Sequence, residues 1–400
     1  VNKPKIVIVG CGIIGAMLAY EMSRQFSADI VVLDRQTPAN GSTGAALGVL
    51  MAVISGKVKG RSWRLRESSL RRYKALIAEL SAQGHNVPFN SQGIVSLCFD
   101  HSKLPRWEAL QMKRLDQGWP LEIWSPEELQ LRCPQVNLCS DAYLNKYPNE
   151  RTDETAGTVR KVQAAIYSPA DAQVHPVALT HALIAAAESR GVTFYNNTEV
   201  TGLKISRQRC TAVKINQTDL AADWVVLSAG LGSGSLSKLA GRVGDLELIP
   251  VLGQAMKIQL PTGLGHQDFQ PVINGDDIQF VPLGGGQYWV GATVEFPALA
   301  AGQSLDTLDQ ESWLREWKGG KTELAALRQG LERFVGEVTH AKVLETWRGL
   351  RPRPVGQPAP VIQPLGELEN VTLATGHYRN GVLLAPATAQ QICEILKEKF

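Results

Sequence analysis

The chain is expected to adopt an α/β fold: a Rossmann-type dinucleotide-binding domain assembled from separated stretches of sequence, joined to a second α+β domain built on an antiparallel sheet. Three observations predict it. The apolar run Lys5–Val9 leads straight into Gly10-Cys11-Gly12-Ile13-Ile14-Gly15. A second apolar run, Ile30–Leu33, ends in Asp34. Far along the chain, Trp224–Leu227 runs into Ser228-Ala229-Gly230 and Val371–Ala374 runs into Gly376, so strands ending in small residues recur in separated pieces.

Each element of the first unit has a physical role. Gly10, Gly12 and Gly15 allow a tight turn, close backbone approach to a pyrophosphate, and close packing of the next helix on the strand. That helix aims its free N–H groups and the positive end of its dipole at the phosphates. Asp34 can accept from ribose hydroxyls, and its charge would repel a 2′-phosphate, which favours NAD or FAD over NADP.

Bulk properties narrow the class. A chain of 400 residues with 44 % apolar content exceeds what one core usually supports, so two domains are expected. A net charge of +3 is too small for a polyanion-binding surface, and no nucleic-acid partner is expected. The six cysteines form neither a CxxC nor a Cys/His cluster, so reduced thiols, no zinc and a cytoplasmic setting are expected. Cys11 reads as a small filler in the turn rather than a nucleophile. No secretory signal is expected before the first strand, and no apolar run approaches the roughly 20 residues that span a bilayer.

Further along, Trp63, Leu70, Tyr73, Ile77 and Leu80 mark one face of an amphipathic helix. Around them lies a basic run of Lys57, Lys59, Arg61, Arg64, Arg66, Arg71, Arg72 and Lys74, relieved by Glu67. It reads either as a solvated helix face or as a docking surface for an anionic membrane, partner or substrate. Ser140–Lys161 is polar and reads as a long surface loop. Asp171–Arg190 holds a helix entry and helix, with Pro176 in its first turn and Gly191 after its last. Short strands follow at Val192–Asn196, Val200–Ile205 and Thr211–Ile215. From Ile249 to Glu295 strands alternate with hairpin signals, and Gly284-Gly285-Gly286 reads as a hairpin tip because no helix start follows it. A helix is expected near Asp309–Phe334, and a final one from Pro386 after the loop Gly376–Leu384. Nucleotide-binding elements thus come from three stretches of chain. A discontinuous flavoprotein fits that order better than a nicotinamide dehydrogenase with a contiguous Rossmann unit.

The late motifs carry a resemblance. Trp347-Arg348-Gly349-Leu350-Arg351-Pro352, the segment from Gly376 to Pro386, and Ser42-Thr43-Gly44-Ala45-Ala46-Leu47-Gly48-Val49 together resemble the FAD-dependent amine and amino-acid oxidases of the D-amino-acid oxidase superfamily, bacterial glycine oxidases in particular. The likeness runs through nearly the whole chain. It implies a glutathione-reductase-like FAD-binding domain over 1–85, 168–245 and 345–400, and a substrate domain over 86–167 and 246–344.

For the cofactor, the resemblance implies pyrophosphate contacts from the Ile13 and Ile14 backbone beside Gly10, Gly12 and Gly15. It implies adenosine contacts from Asp34, Arg35 and Val200. Ser42, Thr43, Ala46, Leu47, Gly48 and Val49 would line the ribityl chain and ring, with Ala229 and Gly230 close to the nucleotide. His377, Tyr378, Arg379, Asn380, Gly381, Val382 and Leu383 would wrap the pyrimidine end of the flavin. Arg351 would clamp a substrate carboxylate, since a planar guanidinium matches its two oxygens. Arg379 would assist it. His377 reads as a packing residue rather than a base, and no catalytic residue is assigned. The implied reaction is hydride transfer from a small amino acid or amine, giving an imine that water hydrolyses to an oxo acid and ammonia.

This sequence departs from the family at several points. Gln279, in Asp277-Ile278-Gln279-Phe280-Val281-Pro282, stands where a carboxylate-binding tyrosine is usual; a glutamine can still donate. Ala229-Gly230-Leu231-Gly232 lacks the usual tryptophan, and the proline-rich loop after Arg351 lacks the usual Asp-Gly. A covalent flavin is not expected, because 345–391 holds no cysteine. Glycine, sarcosine and D-amino acids stay open as substrates, and so does a homo-oligomer. Three roles stay open: an oxidase making hydrogen peroxide, a dehydrogenase feeding a quinone or carrier at a membrane, and a flavoprotein with a decayed site serving assembly or regulation.

Overall fold

The structure, a computed structural model, describes residues 3–139, 161–216, 218–242, 245–296 and 321–399. All of the expected polar loop except Lys161 lies outside the described residues. So does the first part of the helix expected near Asp309–Phe334, whose described portion is Lys321–Glu332.

Six strands make the sheet that carries the glycine turn, in the order Val361–Pro364, Val371–Thr375, Trp224–Leu227, Lys5–Val9, Asp29–Leu33, Thr193–Tyr195. All neighbours are parallel except the first pair. The inner strands are apolar on both faces because both faces are covered. Ile6, Ile8, Ile30 and Val32 face a layer of helices that includes Ile13–Gln25, Gly60–Ala82, Pro176–Glu188 and Gly381–Lys397. Val7, Val9, Val31 and Leu33 face Val200, Leu203 and Val213 of a three-stranded antiparallel ribbon.

A second sheet has eight strands, in the order Lys342–Pro354, Leu248–Gln259, Gln287–Gly291, Ile278–Gly284, Val272–Gly275, Ile94–Cys98, Ala164–Ser168, Glu122–Trp124. It is antiparallel except where Val272–Gly275 pairs with Ile94–Cys98. Gly284, Gly285 and Gly286 all have positive φ and close the hairpin between Ile278–Gly284 and Gln287–Gly291, as the sequence suggested. The strand Lys342–Pro354 runs across the change of domain expected at 345. It meets the segment 42–48 face to face: the Ser42 hydroxyl donates to the Leu350 carbonyl at 2.6 Å, and Trp347 Nε1 donates to the Ala45 carbonyl at 3.2 Å.

Two expectations are corrected. The last helix starts at Gly381 rather than Pro386, so the loop before it is short and Pro386 sits inside the helix. A proline there removes the N–H that would bond to the carbonyl four residues back. That carbonyl belongs to Val382, and the buried Tyr73 hydroxyl donates to it instead. The basic run is not one solvated face. Arg72 is held between Glu21 at 2.7 Å and Glu79 at 2.8 Å, Arg71 pairs with Glu67, Arg61 donates to the Pro360 carbonyl, and Arg66 is buried. Lys57, Lys59, Arg64, Arg71 and Lys74 are the exposed members. No described helix is long and apolar enough to cross a membrane.

Candidate active site

A cavity of about 940 Å³ opens where the parallel strands end and the second sheet begins. That lies at the upper end of the roughly 300–1,000 Å³ range of small-molecule sites. Its floor is the glycine turn. Gly10 has φ +101°, and a Cβ on it would stand 2.7 Å from Ser228 and Ala229, so this close approach of two strand ends requires glycine. A Cβ on Gly15 would stand 1.8 Å from the Gly10 carbonyl oxygen. Gly15 therefore packs the helix onto the strand and, unlike the other expected cofactor residues, does not line the cavity.

The helix Ile13–Gln25 has glycine at its N-cap and no capping side chain of its own. Thr43, from a distant segment, supplies the cap: its Oγ1 accepts the Ile13 N–H at 3.0 Å. The Ile13 N–H expected at the pyrophosphate is thus already engaged. The next donor, that of Ile14, has no protein partner among the described residues, and Ile14 lines the cavity. An unsatisfied first-turn donor at the positive end of a helix suits a phosphate oxygen.

Asp34 also lines the cavity. Its carboxylate accepts from the Cys11 N–H at 2.6 Å and the Gln36 N–H at 2.8 Å. A carboxylate offers about four lone-pair sites, so acceptor capacity is left for hydroxyls. Arg35, Val200, Ala229 and Gly230 line the cavity beside it. The Cys11 thiol is buried; desolvation first, and then Asp34, push its pKa well above the ordinary thiol value, so it holds its proton. The small-filler reading fits.

Ser42, Thr43, Ala46, Leu47, Gly48 and Val49 line the middle of the cavity, and the segment from His377 to Leu383 covers it. His377 is buried, with Nε2 2.8 Å from Thr388 Oγ1. Burial, reinforced by Arg61, pulls its pKa down to about 3, so it stays neutral and is no base. Tyr378 has φ +54°, a sparsely populated conformation for a bulky residue, and Arg379 beside it is exposed at the cavity wall.

Arg351 reaches the cavity from the long strand of the second sheet. Its Nη1 donates to the carbonyls of Leu252 at 3.0 Å and Thr293 at 3.1 Å. Among the described residues it pairs with no carboxylate. Burial first, and then the Arg379 cation, lower its pKa. Gln279 behaves differently from expectation: its Nε2 donates to Asn274 Oδ1 at 2.7 Å, and Asn274 in turn donates to Ser96. One of its two amide N–H donors is spent within the sheet, and its buried Oε1 has no partner among the described residues. Gln279 therefore lines the cavity with an unused acceptor as well as its remaining N–H.

Several lining residues carry no expected site role, and Arg66, which the sequence places only in the basic run, is one of them. Arg66 lines the cavity from the helix Gly60–Ala82. A signal existed: Arg66 falls three residues after Trp63 and four before Leu70, on the apolar stripe, where a solvated arginine does not belong.

Comparison with known proteins agrees with this architecture. The family model described as FAD dependent oxidoreductase, DAO, matches residues 5–395. The bifunctional protein ThiO/ThiG of a Nostoc species is 27 % identical over 98 % of this chain, and the chain spans 53 % of that relative's length. Glycine oxidase of Bacillus subtilis is 26 % identical over 98 % of this chain and 93 % of its own. The crystal structure of glycine oxidase from Geobacillus kaustophilus superposes with a TM-score of 0.79 at 22 % identity, covering 99 % of this chain and 95 % of that one, a likeness that speaks to the fold. Strand order, glycine turn, Asp34 and family match agree, and the chain belongs to the DAO family of FAD-dependent oxidoreductases.

Proposed function

We propose that this protein oxidises a small amino acid or carboxylated amine at its C–N bond. The observation that carries the reading is Arg351, a half-buried guanidinium that pairs with no acid among the described residues, on the wall of the cavity whose other residues suit FAD. Nη1 is anchored to two backbone carbonyls, which holds the fork still and leaves the rest of it for the two oxygens of a carboxylate. Gln279 Oε1 accepts an N–H from the amine, which orients the Cα–H bond. Leu47, Val49 and Met51 supply an apolar wall. The bound flavin would supply the acceptor for a hydride from the substrate carbon, and water would hydrolyse the resulting imine to an oxo acid and ammonia.

No strong base is required if the amine enters neutral. His377, neutral and hydrogen-bonded to Thr388, serves packing. We assign residues 1–85, 168–245 and 345–400 mainly to the cofactor and 86–167 and 246–344 mainly to the substrate, with Arg351 as the substrate group borne on the long strand. Oxygen is the proposed acceptor: Arg61, Arg66, Arg71 and Arg72 of the basic run that would favour a membrane carrier are engaged within the protein, and no described helix is long and apolar enough to cross a membrane.

The test is an anaerobic panel of glycine, sarcosine and D-amino acids added to the flavin-loaded protein. Bleaching of the flavin absorbance by at least one member is expected, and stoichiometric peroxide on readmitting air. Arg351→Ala should weaken binding of the responsive substrate by about 3–5 kcal/mol, the loss expected for a desolvated charge pair, with flavin content unchanged. A loaded protein that no member bleaches contradicts the proposal.

A further inference from the structure

Arg66 is the least explained charge in the molecule. It is 8 % exposed, yet among the described residues no carboxylate stands within ion-pair distance of it. Its Nη1 donates to the Ser62 carbonyl at 3.1 Å and to the Ser62 hydroxyl at 2.7 Å, a local arrangement one helical turn back. Its Nε is buried and has no partner at all. A buried guanidinium with unused donors is costly unless an anion offsets it.

Among the described residues no acid pairs with it: the buried carboxylate of Asp171, which acts on the neighbouring Arg114, accepts from the N–H groups of Ala52 and Val53 at 2.8 Å and Ile54 at 2.9 Å. Glu67, the adjacent acid, is taken by Arg71 at 2.9 Å and by Trp119 Nε1 at 3.2 Å. The second buried arginine nearby, Arg114, adds positive charge instead. Arg114 donates to the carbonyls of Val53 at 2.7 Å, Ser55 at 2.9 Å and Lys57 at 3.0 Å, while its guanidinium lies over the Trp63 ring. These bonds pin the segment 53–57 that passes beside Arg66. Arg66, Met51 and Ser55 face the same cavity as Arg351 and Gln279. The wall is rigid, positive and short of an acceptor.

Resting on the reading of Arg351 as the carboxylate clamp, we propose that Arg66 binds a second acidic group of the substrate, so that the protein acts on amines carrying two carboxylates. Arg351 holds the carboxylate next to the reacting carbon, Gln279 accepts from the nitrogen, and Arg66 receives the distal acid. Monocarboxylic substrates leave Arg66 unpaired and bind less well.

The experiment measures ligand binding rather than turnover, by titrating the visible spectrum of flavin-loaded protein with unreactive acids. Malonate, succinate and glutarate are compared with acetate, propionate and butyrate. At least one dicarboxylate should bind about tenfold more tightly than its monocarboxylic counterpart. Arg66→Gln should reduce that preference to within about twofold, with monocarboxylate affinity and flavin content unchanged, and Arg66→Lys should restore part of it. Equal affinities for the two series overturn the proposal while leaving Arg351 in place. A preference that survives in Arg66→Gln also overturns it. Loss of flavin from both variants overturns it too, by assigning Arg66 to the cofactor. Absence of any spectral response to any acid overturns this proposal together with the reading of Arg351.

Discussion

The Arg351 guanidinium lies flat against the backbone of Gly253: a Cβ on residue 253 would stand 2.2 Å from its Nη2 and 2.4 Å from its Cζ. The two residues sit on neighbouring strands, where Val251 pairs with Arg351 across the sheet. The side chain therefore leans along its partner strand, and only a glycine leaves room for it. A residue 98 positions away in sequence thus sets where the guanidinium proposed to bind carboxylate can lie.

Gly253→Ala should displace Arg351 while leaving the fold intact, because the clash falls on the end of a flexible side chain. Carboxylate affinity is expected to drop by about tenfold or more, as for a misplaced charged partner. Titration of the flavin spectrum with acetate measures it, and flavin content should match the parent protein. Unchanged affinity would place Arg351 outside the site.

Tyr73→Phe removes the donor that satisfies Val382 where Pro386 cannot. A buried carbonyl left unpaired costs about 1–3 kcal/mol. Urea denaturation of the loaded protein should register that loss, and loosening at the start of the last helix should also speed flavin release.

His377 makes stability pH-dependent. Its pKa is 6.5 in an exposed histidine and about 3 in the folded chain, lowered by burial and then by Arg61. The unfolded chain therefore takes up a proton below pH 6.5 that the folded chain refuses. Stability is full above 6.5 and falls with acidification towards 3, by about 1.4 kcal/mol per pH unit from this group. Denaturation midpoints followed from about pH 7 to 5 should show a shallower slope in His377→Gln, which can keep the bond to Thr388.

Asp34→Ala removes the ribose acceptor and also releases the Cys11 and Gln36 N–H groups that now shape the turn. The variant should lose flavin during purification. A protein that retains its full flavin absorbance would contradict the ribose role.

Several features were legible in the linear sequence because they depend on near neighbours. The run Lys5–Val9 into three spaced glycines dictates a strand, a turn and a helix within a few residues of one another. The Gly284–Gly286 hairpin and the helix start at Pro176 obey the same local logic. Pro386 was misread because its local signal is a helix start, whereas a hydroxyl from Tyr73 makes a mid-helix proline tolerable. Gln279 reads as a donor, and only the fold shows that Asn274 takes one of its two amide N–H groups while its Oε1 is left buried without a partner among the described residues.

The sequence by itself determined the parallel sheet, the dinucleotide turn with Asp34 beyond it, and the candidacy of Arg351, since backbone sterics, strand periodicity and side-chain chemistry act over short range. Tertiary structure alone decided which charges are left unpaired. Arg72 meets Glu21 and Glu79 and is neutralised, whereas Arg66, on the same helix, lines the cavity and meets no acid among the described residues. That difference comes from burial and from partners brought together by folding, and no spacing along the chain encodes the distance between them.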